Sequence, residues 1–105
     1  MTDFQEDIYI AAKQVSQYVN GTRYMTVGEE YTYIDYDGKE MTFFYDHHRL
    51  VKKPGFEIIL SEIDDLSFEI NHEQIYMNVE RDHTSFKFLL TYAQEFERDL
   101  ENEIE

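Results

Sequence analysis

Between Thr22 and Leu90 apolar residues recur every second position, in short β-branched and aromatic runs separated by polar turns. This alternation constrains the fold more than any other feature of the chain. It predicts strands over 23–27, 31–36, 40–46, 56–60, 66–70, 75–80 and 85–90. Connections this short leave no room for the crossovers of a parallel sheet, so all seven strands are expected to pair antiparallel. Asp37-Gly38 marks a tight hairpin between the second and third runs, because glycine accepts a positive φ without steric cost.

The flanks have a helical period. Phe4, Ile8, Ala11, Ala12, Val15 and Val19 recur at three- and four-residue spacing and predict a helix over 3–19, with Gln5, Asp7, Lys13 and Gln17 outward. Thr2 with Gln5, or Asp3 with Glu6, supplies a capping pattern, and Asn20-Gly21 ends the helix. At the other end, Thr91 with Gln94 matches a capping box, and Ala93, Phe96, Leu100 and Ile104 form one narrow apolar stripe. The stripe predicts a closing helix with Phe96 and Leu100 buried. The expected architecture is therefore α+β: a single domain over 1–105, with an N-terminal helix (1–21), a seven-stranded antiparallel bent barrel (22–90) and a C-terminal capping helix (91–105).

At 105 residues the chain holds one core, and its 42% hydrophobic and 16% aromatic content is enough to offset the entropy of ordering it. There is no cysteine, which removes disulfides and thiolate chemistry. The N-terminus MTDFQEDIYI lacks the basic region of a secretory signal, and no run approaches the roughly 18–20 apolar residues of a membrane span. A cytoplasmic protein without a membrane partner is expected. With 23 acidic residues against nine basic ones, the net charge of −14 opposes phosphate, so no direct nucleic-acid partner is expected.

Catalytic and metal chemistry find little support. His47-His48, with His72 and His83, invites a metal reading, yet neighbouring side chains on a strand point to opposite faces, and turn or edge positions suit these residues better. Carboxylate pairs such as Glu29-Glu30 and Asp64-Asp65 are too common to single out an acid–base site, and Ser16, Ser61, Ser67 and Ser85 sit in no nucleophile elbow. No catalytic residue, metal or cofactor is expected. Arg49, Lys52 and Lys53, beside Pro54-Gly55, read as the solvated turn between two strands.

The nine tyrosines are more informative. Tyr31-Thr32-Tyr33-Ile34-Asp35-Tyr36 places large rings on both faces of one strand, and each buried phenol needs a hydrogen-bond partner. Cross-strand packing accounts for some of them. Tyr31, Tyr33 and Tyr36 are the candidate protein-binding residues, since tyrosine is enriched at interface hot spots.

The stretch TFFYDHHRLVKKPGFEIILSEIDDLSFEI, residues 42 to 70, followed by SFKFLLTYAQEFERDL, resembles the pleckstrin-homology-like superfold in its bacterial and GRAM-like forms. The resemblance rests on the aromatic run Thr42–Tyr45, on Arg49-Leu50, on the step Leu60-Ser61-Glu62-Ile63-Asp64-Asp65-Leu66, and on Phe86, Phe88, Ala93, Phe96 and Leu100 in the closing strand and helix. It implies a binding module, for phosphoinositides in some members and proteins in many. Gly28-Glu29-Glu30 stands where lipid-binding members carry a basic loop, and would repel phosphate. The resulting expectation is a non-catalytic, cytosolic, bacterial or phage-encoded protein-binding module of PH/GRAM-like type that recognises protein through its tyrosine-rich strands or its exposed N-terminal helix. The alternative is a small acidic inhibitor that mimics nucleic acid and occupies the basic groove of a DNA- or RNA-binding enzyme, with Glu95, Asp99 and Glu103 as its acidic face.

Overall fold

A computed structural model describes residues 5–97. One helix, α1 (Glu6–Val19), precedes eight strands: β1 (Arg23–Val27), β2 (Tyr31–Ile34), β3 (Glu40–Asp46), β4 (Arg49–Lys53), β5 (Glu57–Ser61), β6 (Asp65–Asn71), β7 (Gln74–Arg81) and β8 (Thr84–Tyr92). They form two antiparallel sheets, β1-β2-β3-β4-β5 and β6-β7-β8. The expected seven-stranded closed barrel is not what forms. The break falls after β5, where Glu62-Ile63-Asp64 leads into β6 and β6 packs across β3 and β1 instead of pairing with β5.

α1 turns Ile8, Ala11, Ala12, Val15 and Val19 inward, the stripe expected from sequence. Full burial of each of Ile8, Val15 and Val19 contributes about 1.5–3 kcal/mol, and the two alanines less. The helix packs along β8 and β5 and so covers the open side between the sheets. Gln5 occupies its N-cap position without a side-chain capping bond, and Thr2 and Asp3 lie outside the described residues. At the C-terminal end Gly21 has φ +84, a conformation that favours glycine, and a Cβ there would displace the nearby Tyr36 hydroxyl. That hydroxyl donates to the Asn20 carbonyl at 2.9 Å.

The turns follow local chemistry. Gly38, with φ +81, closes the β2–β3 hairpin as its N–H donates to Asp35 O, while the Asp35 carboxylate accepts from the Asp37 and Lys39 amides at 2.8 and 2.9 Å. His47-His48, His72-Glu73 and Asp82-His83 are two-residue hairpin turns, and positive φ at His47, His48, His72, Asp82 and His83 suits residue types enriched in that region.

β4 was not expected. The polar stretch Arg49–Lys53, read as a turn, is a central strand between β3 and β5, with Leu50 and Val51 fully buried and Lys52 only 7% exposed. Its cations are accommodated by rings. The Lys52 ammonium lies 4.7 Å from the Tyr18 ring centroid, that of Lys53 4.8 Å from Phe44, and the Arg49 guanidinium 5.3 Å from Phe56 while pairing with Asp46 at 2.9 Å. The turn itself comes later, at Pro54-Gly55-Phe56.

The C-terminal expectation is also corrected. Thr91 and Tyr92 prolong β8, so no capping box forms, and Ala93–Glu97 is not helical. Tyr24 N–H donates to Gln94 O and Phe96 N–H to Tyr24 O, which sets Glu95 in a parallel bridge beside β1. Phe96 is 37% exposed instead of buried. The rest of the expected helix, with Asp99, Leu100, Glu103 and Ile104, lies outside the described residues.

Candidate interaction surface

Tyr31 and Tyr33, two of the three tyrosines singled out for partner binding, are in the core at 0% and 1% exposure. They present nothing to a partner. The Tyr33 ring stacks on Phe43 at 5.9 Å, and Tyr31 meets Phe68 edge-on at 5.5 Å. Burial pushes the Tyr33 phenol up to about 12, with Asp35 adding repulsion, and burial raises Tyr31 as well. Tyr36 is 82% exposed but sits at the β2–β3 turn with its hydroxyl committed to the end of α1.

The Tyr31 hydroxyl is buried without a hydrogen-bond partner. A buried unpaired hydroxyl costs about 1–3 kcal/mol. Tyr31→Phe is therefore expected to leave stability unchanged or raise it by about 1 kcal/mol, read as an increased urea midpoint at constant slope. A loss of similar size would show that the hydroxyl has a partner in solution.

The other sequence candidates do not converge. The four histidines occupy three separate hairpin turns, and among the described residues no three His, Asp or Glu side chains are grouped to hold a metal ion. Of the proposed acidic face only Glu95 is described, and it belongs to an extended segment beside β1. Asp46 and Glu69 are held below the usual carboxylate range by hydrogen bonds, from His47 and Arg49 in the first case and from Asn78 and Lys87 in the second. These are surface pairings of ordinary kind.

The structure instead brings together the outer side of α1 and the neighbouring strand β5. Ile10, Gln14 and Tyr18, at i, i+4 and i+8, share one stripe of the helix, and Lys13 and Gln17 flank it. Together these five residues line an open groove of about 610 Å³. Ile10 is 60% exposed. The Tyr18 hydroxyl donates to the Glu57 carboxylate at 3.3 Å, which ties the stripe to β5. On the face of the sheet away from α1, Ile58 of β5 and Phe56 of its entry turn are about half exposed, and the Phe56 ring meets Phe44 at 6.4 Å. Sequence periodicity marks Ile10 and Tyr18 as outside the buried stripe, but the approach of β5 to them is a tertiary event with no local signal.

A helix packed against two antiparallel sheets leaves Ile10 and Tyr18 on its outer side, and Ile58 and Phe56 at the sheet edge, as exposed apolar side chains. A family model described as "Putative Competence protein ComGF" matches residues 1–85, from the N-terminus through α1 and β1–β7 to the start of β8. The chain belongs to the ComGF family. Neither the curated proteins nor the solved structures contain a match. The family assignment overturns the PH/GRAM-like resemblance, and with it both the cytosolic PH-like binding module and the nucleic-acid mimic. The residues that carried the resemblance, 42–70, are an ordinary run of hairpins in this fold: β3, β4 and β5 meander, and β6 leaves for the second sheet.

Proposed function

We propose that this protein serves in competence, the capacity of a cell to take up DNA, as a non-catalytic component that works by assembling with other proteins through the outer side of α1. The observation that carries the reading is the family match over residues 1–85, which includes the whole of α1. The chemistry of the surface supports contact with protein over contact with DNA. The chain carries −14, and four of its nine cations, Arg49, Lys52, Lys53 and Lys87, lie against its own rings. Phosphate neutralisation, which supplies most affinity for DNA, has little to draw on. No helix among the described residues is long and apolar enough to cross a membrane.

Deleting the gene in the organism that encodes it should reduce transformation by added marker DNA to background, with recovery when the wild-type chain is restored. The double variant Ile10→Lys, Gln17→Ala, at two exposed positions that leave Tyr18 against Lys52 and Glu57, should fold normally and fail to restore it. Normal transformation in the deletion strain would overturn the competence reading. Full rescue by the double variant would move the interaction surface off α1.

A further inference from the structure

The outer strands of the two sheets are finished in different ways. β1 is covered by the backbone of residues 94–96, through hydrogen bonds of 3.1 and 2.7 Å with Tyr24. On β6, Phe68 N–H donates to Gly28 O at 2.7 Å, and on β8 the Leu90 carbonyl accepts from the Ser16 hydroxyl of α1 at 2.6 Å. β5 ends the five-stranded sheet, and among the described residues the outward backbone groups of Glu57–Leu60 have no partner. Only the Ser61 carbonyl, at its far end, accepts from Arg81.

β5 has only part of the usual protection of an edge. Glu57-Ile58-Ile59-Leu60-Ser61 contains neither lysine nor proline, and its one irregularity is the bulge that leaves Ile59 opposite no residue of β4. Its two sides differ in chemistry. Glu57 lies on the α1 side, where it accepts from Tyr18. Ile58 lies on the other side, in a cross-strand row with Val51 and Phe44 and near Phe56.

We propose that β5 is a docking edge, on which an extended segment of a partner protein adds as a further antiparallel or parallel strand. Main-chain hydrogen bonds supply the attachment in such additions, and alternate side chains supply the selectivity. An added strand alternates, so over the stretch before the bulge the segment that fits is apolar toward Ile58 and Phe56 and basic at the residue between, toward Glu57. Charge excludes a second copy as the preferred occupant, because each chain brings −14 and its own Glu57 to the contact. The inference concerns β5 alone and does not depend on the competence reading.

The test uses the full chain and a blocked six-residue synthetic peptide of alternating lysine and valine, with the same peptide N-methylated at every residue, and so without a backbone N–H to donate, as a control. Hydrogen exchange followed by NMR should show slowed exchange at β5 amides on adding the peptide, with β7 unchanged. The N-methylated peptide, which cannot complete a ladder, should have no such effect. Ile58→Lys should weaken peptide binding about tenfold, equivalent to 1.4 kcal/mol, while leaving β7 exchange as in the wild type. Equal binding of both peptides, protection confined to another surface, or indifference to Ile58→Lys would each overturn the proposal. Concentration-dependent dimerisation with β5 amides already protected would assign the edge to a second copy, and would equally overturn it.

Discussion

Replacing Arg81 by alanine is expected to destabilise the fold by about 3 kcal/mol, among the larger losses available from one surface-proximal residue. The side chain is 5% exposed at the end of β7 and joins three parts of the chain. Its Nη1 and Nη2 donate to the two oxygens of Asp7 at 2.9 Å, its Nε donates to the Glu62 carbonyl at 2.9 Å, and Nη2 also donates to the Ser61 carbonyl at 2.8 Å. Removing it strands two backbone carbonyls at the crossing between the sheets and releases the first turn of α1. Arg81→Lys should recover only part of the loss, since an ammonium cannot match the paired oxygens of Asp7 in one plane. The Arg81 hydrogen bond holds the Asp7 carboxyl below its ordinary value of 3.8, outweighing partial burial. A depressed folded-state pKa means that the contribution of Asp7 is present above about pH 4 and lost as pH falls through the folded value. Urea melts of the wild type and Asp7→Asn should therefore differ at pH 6 and converge toward pH 2. A constant difference across that range would show that ionisation of Asp7 is not the source of the stability.

Phe43→Ala is expected to cost about 3–5 kcal/mol, the range for emptying a large aromatic site that cannot collapse. Phe43 is fully buried on the inner face of the five-stranded sheet, stacked against Tyr33 and within 6.4 Å of the Tyr31 ring and 6.0 Å of the Tyr18 ring. Its neighbour Phe44 points the other way, toward Lys53 and Phe56, and is only partly buried. Phe44→Ala should cost less than half as much, because part of its area already faces water. Denaturant titrations of the two single variants give a direct comparison of the two faces. Equal losses would mean that the outer face of the sheet is covered as fully as the inner one.

These contrasts show how far a period-two pattern reaches. β1 and β3 begin and end where alternation places them, and β2, β5, β6, β7 and β8 depart by only a residue or two at either end. The inward stripe of α1 matches residue for residue over the described part. Such features are local: side-chain alternation, the helical repeat, and turn residues that tolerate positive φ act over a few positions. Even the histidines belong here, since all four fall in hairpin turns, as the sequence had indicated.

The misreadings share another origin. Arg49-Leu50-Val51-Lys52-Lys53 carries three charges in five positions and looks like a solvated loop until Tyr18, Phe44, Phe56 and Asp46 arrive from other elements to receive them. Thr91–Glu97 has a helical apolar pattern, but the chain there gains more from prolonging β8 and bridging Tyr24 than from an isolated turn of helix. Tyr31 and Tyr33 share a face by alternation, yet that face could be turned toward a partner or toward Phe43 and Phe68. The sequence by itself determined where the helix and most strands lie and how they turn, because those choices are made between near neighbours. Only the tertiary structure decided that a charged segment becomes a central strand, that the sheet breaks after β5 instead of closing, and that the outer stripe of α1 meets an open strand edge, because each depends on contacts between residues tens of positions apart.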